Sequence, residues 1–250
     1  MIRIALVLVL MAFPAAADEE IVLGLSHDQV AITATFEGSN ILVFGAVRRE
    51  TPIPDHSDLG VIVTISGPDM PVEIWRKQRR AGIWINTDEV EVDAAPSFYA
   101  VATSAPMSDV LHHVEDLQYR ITTPRTIRAI GGQVSDSVDF MEALIRIRTQ
   151  EGLYQRLEGA VDLEQDTLFR TAITLPANLT EGIYEARIFL TRDGRVIDEY
   201  VTEIPVRKVG LERWLYNLAQ HQSLIYALMS LTIAVGAGWG ASALFGMLRR

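Results

Sequence analysis

The chain has 250 residues, 32 of them acidic against 22 basic, for a formal net charge of −10, and it contains no cysteine. An acidic surface of this kind argues against nucleic acid as a partner and disfavours anionic lipid. Without cysteine there are no disulfides, thiolate zinc sites or thiol nucleophiles, so any folded region must be held by its core.

At the start, Arg3 precedes an apolar run from Ile4 to Phe13, then Pro14 and Ala15-Ala16-Ala17 before Asp18. A cation, an apolar stretch too short to span a bilayer and an A-x-A site predict a signal peptide over 1–17, with the mature chain beginning at Asp18. The segment 18–105 then reads as an N-terminal β-sandwich-like domain. Val30, Ile32, Ala34 and Phe36 alternate with Ala31, Thr33 and Thr35, and after the turn Glu37-Gly38-Ser39-Asn40 the run Ile41 to Val47 reads as the hairpin partner. Short strands follow at Val61 to Ile65, Val72 to Trp75, Gly82 to Ile85 and Phe98 to Val101.

The period changes over 106–152, a helical segment. Ser108 is placed to cap a helix striped by Val110, Leu111, Val114 and Leu117; after Gly131-Gly132 a second helix, Val138 to Gln150, aligns Phe140, Leu144 and Ile147. The segment 153–209 returns to β. A strand over Leu168 to Leu175 leads through a turn into Tyr184, Ala186, Ile188 and Leu190, which alternate with charged Glu185 and Arg187. Asp193-Gly194 is a two-residue hairpin signal, with Val196 to Val206 returning. Gly182-x-Tyr184 resembles the tyrosine corner of immunoglobulin-like sandwiches, with Ala186 where antibody domains place a cysteine. The fold class is therefore mainly β: an immunoglobulin-like β-sandwich with a central helical segment.

One C-terminal transmembrane helix completes it. After a juxtamembrane segment at 210–223, no charged residue occurs between Arg213 and Arg249, and 224–248 is apolar or small almost throughout. At about 1.5 Å per residue it crosses a hydrocarbon core of about 30 Å. The signal peptide and the terminal Arg249-Arg250 predict the bulk of the chain in the periplasm and the C-terminus in the cytoplasm of a bacterial inner membrane. Trp214, Tyr216 and Tyr226 fall near the outer interface, Trp239 and Phe245 deeper.

Several strings together, Ile41-Leu42-Val43-Phe44-Gly45, Ala81-Gly82-Ile83-Trp84-Ile85-Asn86, Pro96-Ser97-Phe98-Tyr99-Ala100-Val101, Glu142-Ala143-Leu144-Ile145-Arg146, Gly152-Leu153-Tyr154, Thr174-Leu175-Pro176-Ala177-Asn178 and Arg192-Asp193-Gly194, carry a family likeness. The chain resembles a family of alphaproteobacterial transmembrane proteins whose function is not established. That resemblance names no catalytic residue. It implies an accessory role beside a membrane transporter similar to sulfite or sulfonate exporters.

Motifs for chemistry are sparse. His27, His56, His112, His113 and His221 form no metal or triad pattern; His112 and His113 are adjacent and, on a helix, point about 100° apart. Asp55-His56-Ser57-Asp58, after Pro52 and Pro54, reads as a polar turn rather than a metal site. No G-x-S-x-G elbow is present. Gly236-x-Gly238-x-Gly240 lies inside the apolar helix and fails the context of a nucleotide loop, and Asn178-Leu179-Thr180 reads as a turn. No catalytic, cofactor or metal residues are assigned, and the reading is non-enzymatic.

Two features remain. Gly236 and Gly240, extended by Ala237 and Ala241, set small residues on one face of the membrane helix for close approach of another helix. Arg76, Lys77, Arg79 and Arg80 form a cationic knot in an acidic domain, a solvated hairpin end or a patch for an anion or acidic partner. The expectation is a membrane-anchored periplasmic protein-interaction module with a membrane-protein partner; the alternative is a module binding a small anion at the basic hairpin.

Overall fold

The computed structural model describes residues 19–27, 29–32, 38–49, 58–129, 137–208 and 211–248. The signal peptide, the stretch from Thr33 to Glu37, Pro52 to Ser57, Gly131-Gly132 and the terminal arginines lie outside them.

Two sheets carry the domain. Sheet A runs β1 (Glu19–Leu25), β3 (Ser39–Arg49), β11 (Leu168–Leu175) and β10 (Asp162–Glu164), all antiparallel. Sheet B runs β2 (Val30–Ile32), β13 (Arg195–Lys208), β12 (Gly182–Arg192), β4 (Leu59–Ser66), β7 (Tyr99–Thr103) and β9 (Tyr154–Leu157), with its two short edge strands parallel to their neighbours. Strands from 18–105 and from 153–209 are neighbours in both sheets: β3 pairs with β11, and β4 with β12.

One core joins the sheets. Ile41, Val43, Val47, Phe169, Ile173 and Leu175 alternate inward from sheet A, while Val63, Ile65, Ala186, Ile188 and Leu190 come from sheet B. Over β4 and β7 the opposite face of sheet B is also closed, by α1 (Met107–Val110), α2 (His113–Tyr119), α3 (Thr123–Thr126) and α4 (Ser137–Gln150). There Tyr119 packs edge-on against Phe189 at 5.8 Å, and the buried Tyr99 hydroxyl donates to the Ile121 carbonyl at 2.5 Å. Burial on both faces explains why β4 reads Val61-Ile62-Val63-Thr64-Ile65 without alternation.

Local signals behave as read. Tyr184 is buried and its hydroxyl donates to the Thr180 carbonyl at 2.9 Å, the hydrogen bond of a tyrosine corner. Asp193 and Gly194 both take positive φ, 48° and 75°, as a type I′ hairpin between β12 and β13 requires.

Three expectations are corrected. The strand at Val30 does not pair with β3; it joins sheet B beside β13, whereas β3 takes β1 and β11 as neighbours. The helix striped through Leu117 is broken at Leu111 and His112, both extended, because the His112 N–H donates to the Gly194 carbonyl at 2.7 Å. Val110 and Leu111 are then buried but Val114 and Leu117 are exposed, and Ser108 bonds Asp109 instead of capping. On α4, Phe140 and Leu144 are buried while Ile147 is exposed. Third, Val72 to Trp75 and Gly82 to Ile85 belong to one long hairpin, β5 (Asp69–Arg80) and β6 (Ile83–Pro96), which with β8 (Arg128–Ala129) forms a separate sheet.

At the C-terminal end, α5 (Leu211–His221) and α6 (Ser223–Leu248) are joined at Gln222, whose N–H donates to Leu218. The 26 residues of α6 reach about 39 Å. The span Ser223–Ala241 is long and apolar enough to cross a membrane, and none of it is buried within the chain.

Candidate functional site

The outer face of sheet A is the first surface with functional character. Cross-strand register puts Val22, Gly24, Leu42, Phe44, Ala46, Leu168 and Ala172 on that one face, with the charged Arg170 between the last two. Val22, Leu42, Phe44 and Leu168 stay exposed, Phe44 at 44%. The Phe44 ring lies across Gly24, its direct partner on β1, where even a Cβ would collide with it. Phe169 does the same to Gly45 on the inner face, so glycines let aromatic rings lie flat on both sides of the sheet. Ion pairs share this face: Glu20 with Arg48 at one end, and Arg170, directly opposite Phe44, with Asp162 (3.2 Å) and Glu164 (3.7 Å) along the β10 side.

The basic hairpin divides in two. Arg76 is held at the stem: its guanidinium sits 4.6 Å from the Phe140 ring centre and near Asp88 (4.0 Å) and Asp139 (3.8 Å). Lys77, Arg79 and Arg80 are exposed near the tip, and among the described residues none of them is in an ion pair. The tip is a two-residue turn, Ala81 and Gly82 at φ 51° and 87°, and it carries Ile83 and Trp84 at 64% and 68% exposure. Their exposure was not legible beforehand, since apolar residues in a strand read as core.

On the membrane helix, Gly236, Ala237, Gly240 and Ala241 lie on α6, and apart from the helix's own adjoining backbone no described atom comes within 4 Å of where a Cβ would stand on Gly236 or Gly240. That face is open. Asp58 and His27 are exposed, as are His112 and His113 beside the α1–α2 break. Among the described residues no group of three or more His, Asp or Glu is placed to hold a metal ion.

The buried polar groups are engaged in packing. Glu19, 4% exposed at its side chain, receives Arg49 Nε at 2.6 Å and Arg192 at 2.6 and 2.8 Å, tying β1 of sheet A to the end of β12 in sheet B. Burial raises the Glu19 carboxyl, but hydrogen bonds and charge from Arg192 and Arg49 outweigh it and leave the group below its ordinary value. Buried Asp116 accepts from the Ile121 and Thr122 N–H groups, at 3.2 and 2.7 Å, and so fixes the α2–α3 corner. Burial pushes the Tyr99 hydroxyl well up and that of Tyr154, which donates to the Pro96 carbonyl at 2.9 Å, to about 12.

These features define a membrane-anchored β protein: two packed sheets with a third, three-stranded one beside them, a C-terminal apolar helix, and two exposed surfaces rich in apolar or cationic side chains. Residues 20–247 match the model of the family described as "Putative transmembrane protein (Alph_Pro_TM)", and the chain belongs to that family. Comparison with curated proteins gives no match.

Proposed function

We propose that the chain is a non-enzymatic interaction module of the bacterial inner membrane, its β domain in the periplasm and its C-terminus in the cytoplasm, that docks a second membrane protein. The observation that carries this is the outer face of sheet A, where Val22, Leu42, Phe44 and Leu168 are exposed together beside the Glu20–Arg48 and Arg170–Asp162 ion pairs. Isolated exposed apolar side chains are ordinary, whereas several gathered on one sheet face beside paired charges have the mixed composition of an interface. The small-residue face of α6 offers a second contact within the membrane, where association depends on close packing. The family resemblance supplies the partner class, a transporter similar to sulfite or sulfonate exporters. A small-anion site draws less support, because Arg76 is engaged by Phe140 and Asp139 of α4 while Lys77, Arg79 and Arg80 are exposed towards the tip.

A photo-crosslinking residue at position 44 in the full chain, in native membranes, tests the reading against the same residue at position 114, which is exposed elsewhere. An adduct with an integral membrane protein from 44 and not from 114 is expected. Gly236→Leu with Gly240→Leu should stay in the membrane fraction while reducing that adduct. If position 44 yields no protein adduct, sheet A is not the docking face.

A further inference from the structure

The tip of the β5–β6 hairpin has no role in that interface, and its chemistry is unlike the rest of the domain. From Lys77 to Thr87 there is no carboxylate, whereas the stem carries Glu73, Asp88, Glu89, Glu91 and Asp93. Charge is therefore segregated along the arm, cations at the tip and acids behind. Within the tip both arginines face an apolar side chain across the strands, Arg79 opposite Trp84 and Arg80 opposite Ile83, while Lys77 is opposite Asn86.

The arm also starts at a particular place. β4 and β13 both run antiparallel to β12, so their C-terminal ends leave the same end of sheet B. Ser66 at the end of β4 is level with Glu185, while Val206, near the end of β13, pairs with Gly182. Pro68, which starts the arm, packs on Gly182, where an added Cβ would come within 2.8 Å of its Cγ. β13 is the strand that continues into α5 and the membrane helix. The hairpin thus springs from the membrane-proximal end of the domain, and returns there, closed by Gly67 N–H to Phe98 O (2.8 Å) and Ser97 N–H to Pro68 O (2.9 Å). Strands of 12 and 14 residues give an arm of about 40 Å.

We infer that this tip is a foot that rests on the bilayer surface, with Trp84 and Ile83 seated at the interface and Lys77, Arg79 and Arg80 on anionic lipid headgroups. Tryptophan is favoured at the headgroup level, and long cationic side chains lay their stems along apolar neighbours while the charge reaches the phosphates. Arg76, held by Phe140 and Asp139, braces the stem against α4 and leaves the foot beyond that point free to reach the surface. The net acidity of the chain disfavours anionic lipid for the domain as a whole; the tip is where that balance reverses, and the acidic stem keeps the remainder off the surface.

Because the chain has no cysteine, a single environment-sensitive fluorophore can be placed by Ile83→Cys in the full chain, reconstituted in nanodiscs of phosphatidylcholine alone or mixed in equal parts with phosphatidylglycerol. With anionic lipid the label should shift to the blue and become shielded from an aqueous quencher. A label at Ser108→Cys, on α1 over Gly60 at the opposite end of β4, should do neither. Each cation near an anionic surface is worth about fivefold in partition, so Arg79→Ala with Arg80→Ala should lower the partition constant of the tip about 25-fold and weaken its salt sensitivity, Lys77 alone remaining. An unchanged spectrum in both lipids would overturn the inference, and so would an equal shift in both, which leaves charge no role. A shift seen in native membranes but absent in protein-free lipid would assign the tip to an acidic protein instead.

Discussion

Sheets A and B are built from equally apolar strands and are covered differently. β4 in sheet B runs Val61 to Ile65 with every side chain buried, since sheet A lies on one face and the helices on the other. β3 in sheet A runs Ile41-Leu42-Val43-Phe44, no less apolar, yet only Ile41 and Val43 are buried. Hydropathy alone does not separate the two cases; the number of covered faces does. Apolar side chains on an uncovered face contribute little to folding, and a row of them calls for a use outside the domain.

The widest gap between the sheets should appear on truncating one phenylalanine in each. Phe189 is fully buried between sheet B and Tyr119, so Phe189→Ala should cost about 3–5 kcal/mol in chemical denaturation of the full chain in detergent. Phe44→Ala should cost within about 1 kcal/mol, because its ring is already nearly half in water and lies flat across Gly24. Equal losses at the two sites would mean that the outer face of sheet A is part of the folding core, and the comparison would fall.

The next effect tests how the sheets are tied together. Glu19 on β1 is shared by Arg49 of its own sheet and Arg192 of the other, and Glu19→Gln leaves two buried guanidinium groups short of a counter-charge, a loss of about 3 kcal/mol. The native carboxyl titrates below its ordinary 4.5. Its contribution is therefore fully present above about pH 4.5 and is lost as the pH falls through the depressed native value. Melting temperature should drop through that window in the natural chain and be flatter in Glu19→Gln. An unchanged acid limb would assign acid sensitivity to other carboxylates.

What was legible in the chain was local. The turn at Asp193-Gly194, the tyrosine corner and the buried positions Phe140 and Leu144 depend on residues within one turn or one helix, and each is where the pattern places it. The basic cluster likewise reads as a hairpin end. Long-range choices were not legible. Val30 joins a strand that lies more than half the chain away, and the helix break at His112 is made by a carbonyl at Gly194. Register shifts at Met70/Val72 and Arg76/Lys77 interrupt the alternation of β5, so the hairpin arm reads as two short strands. Exposure of Phe44 and Trp84 was hidden for the reason given above: an apolar residue looks the same whether its face is covered or not.

The smallest expected effect lies inside the core, at the tyrosine corner. Tyr184→Phe keeps the ring that packs on Phe98, at 6.2 Å between centroids, and removes only the hydroxyl that donates to the Thr180 carbonyl. A net hydrogen bond of this kind is worth about 1 kcal/mol, a modest shift in the denaturation midpoint. Burial raises the Tyr184 hydroxyl above its ordinary 10, as it raises Tyr99 and Tyr154. A raised native value means that stability is fully present below about pH 10 and is lost as the pH rises through the native value, because the unfolded chain gives up its proton first. Tyr184→Phe should therefore be less stable than the natural chain at neutral pH and approach it in alkali, where the natural chain alone loses this contribution. A stability difference that stays constant from neutral to strongly alkaline pH would show that the hydroxyl acts only as a space-filling group, and that the corner is held by the ring.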